Sequence, residues 1–149
     1  MANKADPNKD NVTPFPGSSE MPEEYHVGQA EDLRPDDLKE LEAEVWDRIA
    51  PELSKLGRLK IIYVDVVAEY CRLVARMAET RKLLDDNKWT YETNGRHGKQ
   101  EKSRPEVAQL NDDWRKFRSL VGELGLSPSA EKTLSAAQGD LFGNDFNKF

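Results

Sequence analysis

The chain has 149 residues, with 22 Lys and Arg against 28 Asp and Glu, for a formal charge of −6. This length predicts one domain. No apolar run approaches the roughly 20 residues that span a bilayer, and no apolar signal core is present, so we expect a soluble protein that is not exported and has no membrane partner. One cysteine and two histidines provide neither a disulfide framework nor a zinc ligand set. We therefore predict that the protein resides in a reducing cytosol and binds no metal or cofactor.

The net charge argues against a generic nucleic-acid coat, because phosphate binding needs concentrated Lys and Arg. The charge is unevenly distributed along the chain. Residues 1–34 hold three basic and seven acidic side chains, whereas residues 35–124 hold 17 and 18. Most of the excess negative charge therefore lies in the N-terminal arm, and the middle of the chain is nearly neutral.

The N-terminal arm, residues 1–34, contains four prolines and no helical or strand period. We predict that this acidic arm is disordered, because it cannot bury enough apolar surface to offset its ordering entropy. Pro35 suits the first turn of a helix, and apolar residues then recur at steps of three or four. Pro51 is expected to kink or restart this helix, and Gly57 to end it.

The segment from Lys60 to about Asn87 is predicted to be a long helix with two apolar stripes. The first stripe comprises Ile62, Val66, Tyr70, Leu73, Met77 and Leu84. The second stripe comprises Val67, Cys71, Val74 and Ala78. A helix this apolar packs on two sides, so it is either the central helix of a bundle or part of a subunit interface. On its polar side, Arg72 and Arg76 are expected to pair locally with Glu69 and Glu79 rather than to line a channel.

A short hairpin or ordered loop is predicted near residues 89–104, with a tight turn at Asn94-Gly95. Within it, residues 96–104 hold four basic side chains and one acidic one, the most basic short window in the chain. Pro105 begins another helix, in which Trp114 and Phe117 lie on the apolar side and are interpreted as core. Gly125 ends that helix, and a short one is predicted from Pro128 to about Ala137.

The last segment, residues 138–149, is predicted to be a flexible tail. It carries four large apolar side chains on a polar background, too few to form a core, and is a candidate docking motif. Its first five residues, Gln138 to Phe142, resemble the Gln-x-x-Leu-Phe peptide that docks on replicative sliding clamps. A clamp-binding phage adaptor is therefore one alternative function.

The chain lacks the common catalytic signatures: a Walker loop, a dinucleotide glycine fingerprint, a nucleophile elbow and a paired-histidine metal motif. Tyr70 and Cys71 lie on the apolar stripes and are interpreted as buried packing residues rather than nucleophiles. We therefore predict no catalytic residue and no enzymatic activity. The predicted fold is all-α: residues 35–137 form a small helical domain with a long central helix, antiparallel helices and a short hairpin or loop.

Several short runs occur together in this chain. They are Ala68-Glu69-Tyr70-Cys71, the Thr-Tyr-Glu-Thr-Asn-Gly segment at 90–95, Arg104-Pro105-Glu106-Val107, and the Glu-Leu-Gly-Leu-Ser-Pro-Ser run at 123–129. From about Asp36 to Leu134 the chain resembles the small terminase subunit of tailed double-stranded-DNA bacteriophages. The run at 123–129 is the most specific part of this resemblance.

The resemblance implies a non-enzymatic component of a genome-packaging motor in the host cell cytoplasm. Such proteins form homo-oligomeric rings, commonly of about eight to twelve subunits. They recognise double-stranded viral DNA, deliver it to the large terminase subunit and regulate its ATPase and nuclease. A ring multiplies modest basic patches, so a subunit need not be basic overall for the assembly to bind DNA.

Three sets of residues are candidates for these roles. DNA phosphates are expected to contact Arg96, Lys99, Lys102 and Arg104, and with less support Arg115, Lys116 and Arg118. The second stripe of the long helix, Val67, Cys71, Val74 and Ala78, is the candidate oligomer interface. The candidate dock for the large subunit is Leu141, Phe142, Phe146 and Phe149. The other alternative, a small helical transcriptional regulator, lacks a clear pair of short helices joined by a recognition turn.

Overall fold

The computed structural model of the chain describes residues 21–130 and 132–133. These residues form four helices and one two-stranded sheet: α1 (Glu23–Asp32), α2 (Glu40–Lys55), α3 (Val64–Asn87), β1 (Thr90–Gly95), β2 (Gly98–Ser103) and α4 (Pro105–Glu123). The predicted, mostly helical fold with a hairpin between two long helices is confirmed. The tail at 138–149, with Leu141, Phe142, Phe146 and Phe149, lies outside the described residues. No helix in the described part is long and apolar enough to cross a membrane.

Helix α1 corrects the prediction of a disordered arm, which is wrong for residues 23–32. This helix buries only His26 and Ala30. The indole Nε1 of Trp46, in α2, donates a hydrogen bond to the carbonyl of Ala30 at 2.8 Å. Two buried positions are too few to give a clear helical period in the sequence. Helix α1 is stabilised mainly by tertiary contacts, which composition does not reveal. Residues 1–20 lie outside the described part of the chain.

Helix α2 begins later than predicted, at Glu40 rather than near Pro35. The backbone N–H of Lys39 donates to the Glu42 carboxylate at 2.9 Å, which satisfies one of the free amides at this end. Pro51 neither ends nor restarts the helix, which runs to Lys55. The end is as predicted: Gly57 takes φ +67, and the Arg58 amide donates to the Leu53 carbonyl at 2.8 Å, as in a Schellman motif.

Helix α3 packs on two sides within a single chain, so of the two roles left open it takes that of the central helix. On one side, Val67 and Cys71 are fully buried with Trp46 and Leu53 of α2. On the other side, Met77 and Leu84 form a second cluster with Leu110 of α4. Ile62, predicted on the buried stripe, is instead 71% exposed in the 3₁₀ turn Ile61–Tyr63 that precedes the helix.

The end of α4 is fixed to the loop between α2 and α3. Gly125 takes φ +66, and the Leu126 amide donates to the Val121 carbonyl at 2.9 Å, so the predicted glycine stop is confirmed. The guanidinium of Arg58 donates to the Gly125 carbonyl at 2.7 Å. Ser127 accepts the Ala130 amide at 3.2 Å, and residues 128–130 and 132–133 are helical, as predicted for the start of the last short helix.

Candidate nucleic-acid interface

The hairpin between α3 and α4 is largely exposed. Its strands pair antiparallel from Thr90↔Ser103 to Gly95↔Gly98, and every residue of β2 is exposed. The turn is Arg96-His97, two residues after the predicted Asn94-Gly95 turn. Arg96 and His97 keep negative φ angles and Gly98 takes φ +105, so Gly98, not Gly95, supplies the positive φ that the connection needs.

The base of the hairpin is held by Arg104. Its backbone N–H donates to the Trp89 carbonyl and its guanidinium donates to the Asn87 carbonyl, each at 3.0 Å. Lys88, between these two acceptors, has φ 64 and ψ 150, a conformation that normally requires glycine. Arg104, a predicted phosphate contact, is thus half-buried at the hairpin base, where its contacts hold the two helices and the hairpin together.

The strand register separates the hairpin side chains into two faces, because cross-strand partners share a face and neighbours alternate. The acidic face carries Thr90, Glu92, Asn94, Lys99, Glu101 and Ser103. The carboxylate-free face carries Tyr91, Thr93, Gln100 and Lys102. Glu92 lies directly opposite Glu101, and Lys99 pairs with Glu92 at 3.3 Å, which relieves this repulsion.

The predicted DNA-binding residues are therefore only partly brought together. Arg96 at the turn and Lys102 on the carboxylate-free face are exposed, and neither forms an ion pair within the described part of the chain. Lys99 is exposed but lies on the acidic face. Arg115, Lys116 and Arg118 lie on α4, roughly 15–20 Å along the helix from its start. Of these three, Lys116 pairs with Asp112 at 2.8 Å.

Two charged contacts of α3 and α4 were not predicted. Arg76 pairs with Asp113, which is fully buried, at 2.7 Å, rather than with Glu69 or Glu79. Arg72 pairs with Asp37 at 2.7 Å and only weakly with Glu69, at 3.9 Å. Both pairs join residues at least 35 positions apart. Helical spacing along one element gives no signal for such partners.

Trp114 is the main error in the predicted core. Its side chain is 46% exposed and stacks on the Phe117 ring at 5.2 Å, with the Arg81 guanidinium 5.8 Å from the indole centroid. Phe117 itself is half-buried against the Met77 and Leu110 cluster. The apolar stripe of α4 therefore extends beyond the width of the surface that α3 covers, and Trp114 lies at its exposed edge.

The charge of the described chain is divided between two segments. Residues 76–118, which run from the middle of α3 through the hairpin into α4, hold eleven basic and eight acidic side chains. Residues 21–75 hold seven basic and thirteen acidic ones. We call these the basic segment and the acidic segment. The surplus of positive charge therefore lies in the segment that contains the hairpin, and the surplus of negative charge lies in the segment that contains α1 and α2.

The predicted oligomer interface lies largely inside the protein's own core. Val67 and Cys71 have no exposed surface, Val74 is half-buried and Ala78 is exposed. Burial raises the pKa of the Cys71 thiol to about 12, and it also raises the pKa of Tyr70. The interpretation as a buried packing residue is confirmed for Cys71, whereas Tyr70 is half-buried against the same core. Because Val67 and Cys71 offer no surface, the interface prediction is wrong for these two residues.

Comparison with known proteins agrees with the resemblance found in the sequence. A family model described as phage terminase, small subunit, matches residues 43–140. The match includes most of α2, all of α3, the hairpin and α4. Searches of curated proteins and of solved structures gave no match. Since the matched residues make up well over half of the sequence, the chain belongs to the phage terminase small-subunit family.

Proposed function

We propose that this protein is the ring-forming, DNA-recognising adaptor of a phage packaging motor in the host cytoplasm. It delivers double-stranded viral DNA to the large terminase subunit and regulates that subunit's ATPase and nuclease, without catalysing a reaction itself. Family membership supports the packaging role. The observation that carries DNA recognition is the exposed hairpin with Arg96, Lys99 and Lys102, which lies in the middle of the basic segment.

Phosphate contact by the hairpin explains how an acidic protein binds DNA. The basic segment has a surplus of only three positive charges, which is weak for one subunit. A ring presents this surplus once per subunit to the same DNA, so the contacts add within one complex. The acidic segment repels phosphate and therefore orients the subunit with the hairpin toward the DNA.

The salt dependence of DNA affinity tests this proposal. The variant Arg96→Ala/Lys99→Ala/Lys102→Ala is expected to bind duplex viral DNA more weakly. Its dependence of log K on log salt should be shallower, by about 0.9 for each phosphate that the variant no longer neutralises. The control, Lys39→Ala/Arg48→Ala/Lys60→Ala, removes the same charge from exposed positions of the acidic segment. It is expected to keep the wild-type slope. Equal slopes for all three proteins would reject the hairpin as the phosphate-binding element.

Ring assembly needs exposed apolar surface, and the loop between α2 and α3 provides it. Ile61 and Ile62 are 72% and 71% exposed, and Leu56 and Tyr63 beside them are 49% and 43% exposed. Adjacent isoleucines at this exposure are characteristic of an interaction surface. In the proposed ring, a neighbouring subunit covers this surface, instead of the second stripe of α3.

Native mass spectrometry tests the assembly. The wild type is expected to give one closed oligomer, and Ile61→Asp/Ile62→Asp a folded monomer. The control variant Leu83→Asp, at a side chain of α3 that is 42% exposed, is expected to keep the oligomer. A wild-type monomer, or a ring that survives the double substitution, would contradict this part of the proposal.

Docking on the large subunit is assigned to the tail, residues 138–149. Deletion after Gln138 is expected to preserve the oligomer but abolish stimulation of the large-subunit ATPase. Retained stimulation would remove the tail from this role. A pulldown with replicative sliding clamp, abolished by Leu141→Ala/Phe142→Ala, would instead favour the clamp-binding alternative.

A further inference from the structure

We infer that the hairpin enters the major groove of duplex DNA with its carboxylate-free face toward the base edges, so that Thr93 and Gln100 set the sequence preference. This inference rests on the proposed DNA-binding function and deepens it. Phosphate contacts, such as the one proposed for Arg96, position a protein on DNA, but they carry no sequence information. Side chains directed at base edges are needed for recognition of one sequence among many.

The distribution of charge selects which face meets DNA. Both glutamates of the hairpin, Glu92 and Glu101, lie on the acidic face. Inside a groove they would face base acceptors and be flanked by phosphates, which repel carboxylates. The other face carries Lys102 and no carboxylate. This orientation places Lys102 in the groove and leaves both glutamates in solvent, whereas the opposite one would place Lys99 there together with both glutamates.

The dimensions of the hairpin fit the major groove. Each strand has six residues, about 20 Å at 3.3 Å per residue, and paired strands lie about 4.8 Å apart. A two-stranded ribbon is one of the two elements that the groove, about 12 Å wide, admits. Every residue of β2 and four of the six residues of β1 are exposed, with Thr90 and Thr93 half-buried, so the ribbon can enter the groove without moving a helix.

The side chains on the carboxylate-free face are suited to reading bases. A Gln amide forms a bidentate contact with adenine, Lys reaches guanine, and the Thr methyl contacts thymine. The Gln100 amide lies over Gly95, where an added Cβ would come within 3.1 Å of Cδ and 3.3 Å of Nε2. The absence of a side chain at Gly95 therefore creates the space in which the Gln100 amide is held near the tip of the hairpin.

Binding-site selection from a randomised duplex library tests the inference. The wild type is expected to enrich a motif, and Thr93→Ala and Gln100→Ala are expected to change it and to lower the affinity for the wild-type motif about tenfold. Their affinity for random duplex and its salt slope should stay at the wild-type values. Asn94→Ala, a neutral substitution on the acidic face, is the control and should enrich the wild-type motif.

A second variant and a second probe separate groove reading from a change in folding. Gly95→Ala keeps the Gln100 side chain but forces its amide to move by a few tenths of an ångström, so it is expected to weaken binding to the wild-type motif, though less than Gln100→Ala does. Replacing adenines of the motif by 7-deazaadenine removes from the major groove only the N7 acceptor that the Gln100 amide would contact. This should weaken wild-type binding about tenfold and leave Gln100→Ala unchanged.

The outcomes distinguish this inference from the proposed function. If the wild type binds duplex DNA but enriches no motif, or if Thr93→Ala and Gln100→Ala enrich the wild-type motif, the hairpin only contacts phosphate and the inference is overturned. If the wild type binds no duplex DNA at any salt concentration, the proposed function itself fails.

Discussion

Asp113 is a buried charged residue at the contact between α3 and α4. Its carboxylate is fully buried and accepts two hydrogen bonds from the Arg76 guanidinium, at 2.8 and 2.7 Å, and one from Gln109 at 2.9 Å. The hydrogen bonds from Arg76 hold the pKa of Asp113 below its ordinary value of 3.8. Because a buried carboxylate is costly without its donors, the two bonds from Arg76 favour the arrangement of α3 and α4 that keeps Arg76 beside Asp113.

Removing either partner of this pair is expected to have unequal effects. Arg76→Ala leaves a buried charge unpaired and should lower the free energy of unfolding by about 3 kcal/mol. Asp113→Asn should cost about 1–2 kcal/mol, because the Arg76 side chain is 47% exposed and can be solvated. Urea unfolding of the two variants measures the difference. A larger destabilisation by Asp113→Asn would show that the carboxylate is not the group that needs its partner.

The Arg76–Asp113 pair also predicts how the free energy of unfolding depends on pH. Because the pKa of Asp113 is lower in the folded than in the unfolded protein, its stabilisation is complete above the unfolded pKa and is lost as pH falls through the folded pKa. The free energy of unfolding of the wild type should therefore decline below about pH 4 more steeply than that of Asp113→Asn. Parallel acid profiles would contradict this assignment.

Lys88 stores backbone strain at the point where α3 becomes the hairpin. Its φ of 64 and ψ of 150 cost about 1–3 kcal/mol for a residue with a side chain. Lys88→Gly is expected to raise the thermal midpoint, and Lys88→Ala, which keeps the Cβ, is not. Thermal unfolding of both variants measures this, and equal midpoints would show that the strain is absent.

At the scale of elements, the sequence predicts features that depend on neighbouring residues, such as the ends of helices. Gly57 and Gly125 end α2 and α4 because only the positive φ at those positions permits the observed caps. The two stripes of α3 correctly indicate two-sided packing, but periodicity shows that a face is buried, not what covers it. The sequence therefore assigns the second stripe to a neighbouring subunit, whereas Val67 and Cys71 pack on α2.

Helix α1 was not predicted, because it is held by polar contacts between residues that are distant in the sequence. His26 Nδ1 and Ser54 Oγ are 2.7 Å apart, and Ser54 donates to the Gln29 side-chain oxygen at 2.6 Å. Because that oxygen only accepts, Ser54 uses its proton there and accepts the His26 Nδ1–H. A chain of three polar side chains across 28 positions leaves no pattern in the sequence.

Removing α1 is expected to uncover Trp46, which is fully buried in the intact protein. In a Trp89→Phe/Trp114→Phe background, deletion of residues 1–32 should make the Trp46 fluorescence accessible to iodide and lower the thermal midpoint. Deletion of residues 1–20 is the control and should leave Trp46 protected. Protection of Trp46 in both deletions would mean that α1 does not cover it.

At the scale of the whole molecule, the distribution of charge along the chain is more informative about DNA binding than the net charge. A net charge of −6 describes neither the acidic segment at 21–75 nor the basic segment at 76–118. The sequence alone predicts the basic window at 96–104. It does not predict the separation of that window into two hairpin faces, because the separation depends on a register that the two-residue turn fixes.

Hydrogen exchange of the full chain, with and without duplex viral DNA, tests the central claim most directly. Hairpin amides are expected to exchange readily in the free protein, because an isolated two-stranded sheet is only marginally stable. DNA is expected to slow exchange at residues 90–103 and to leave α1 and α2 unchanged. Slowed exchange confined to residues 23–55, with the hairpin unaffected, would contradict the claim that the hairpin is where this terminase small subunit meets DNA.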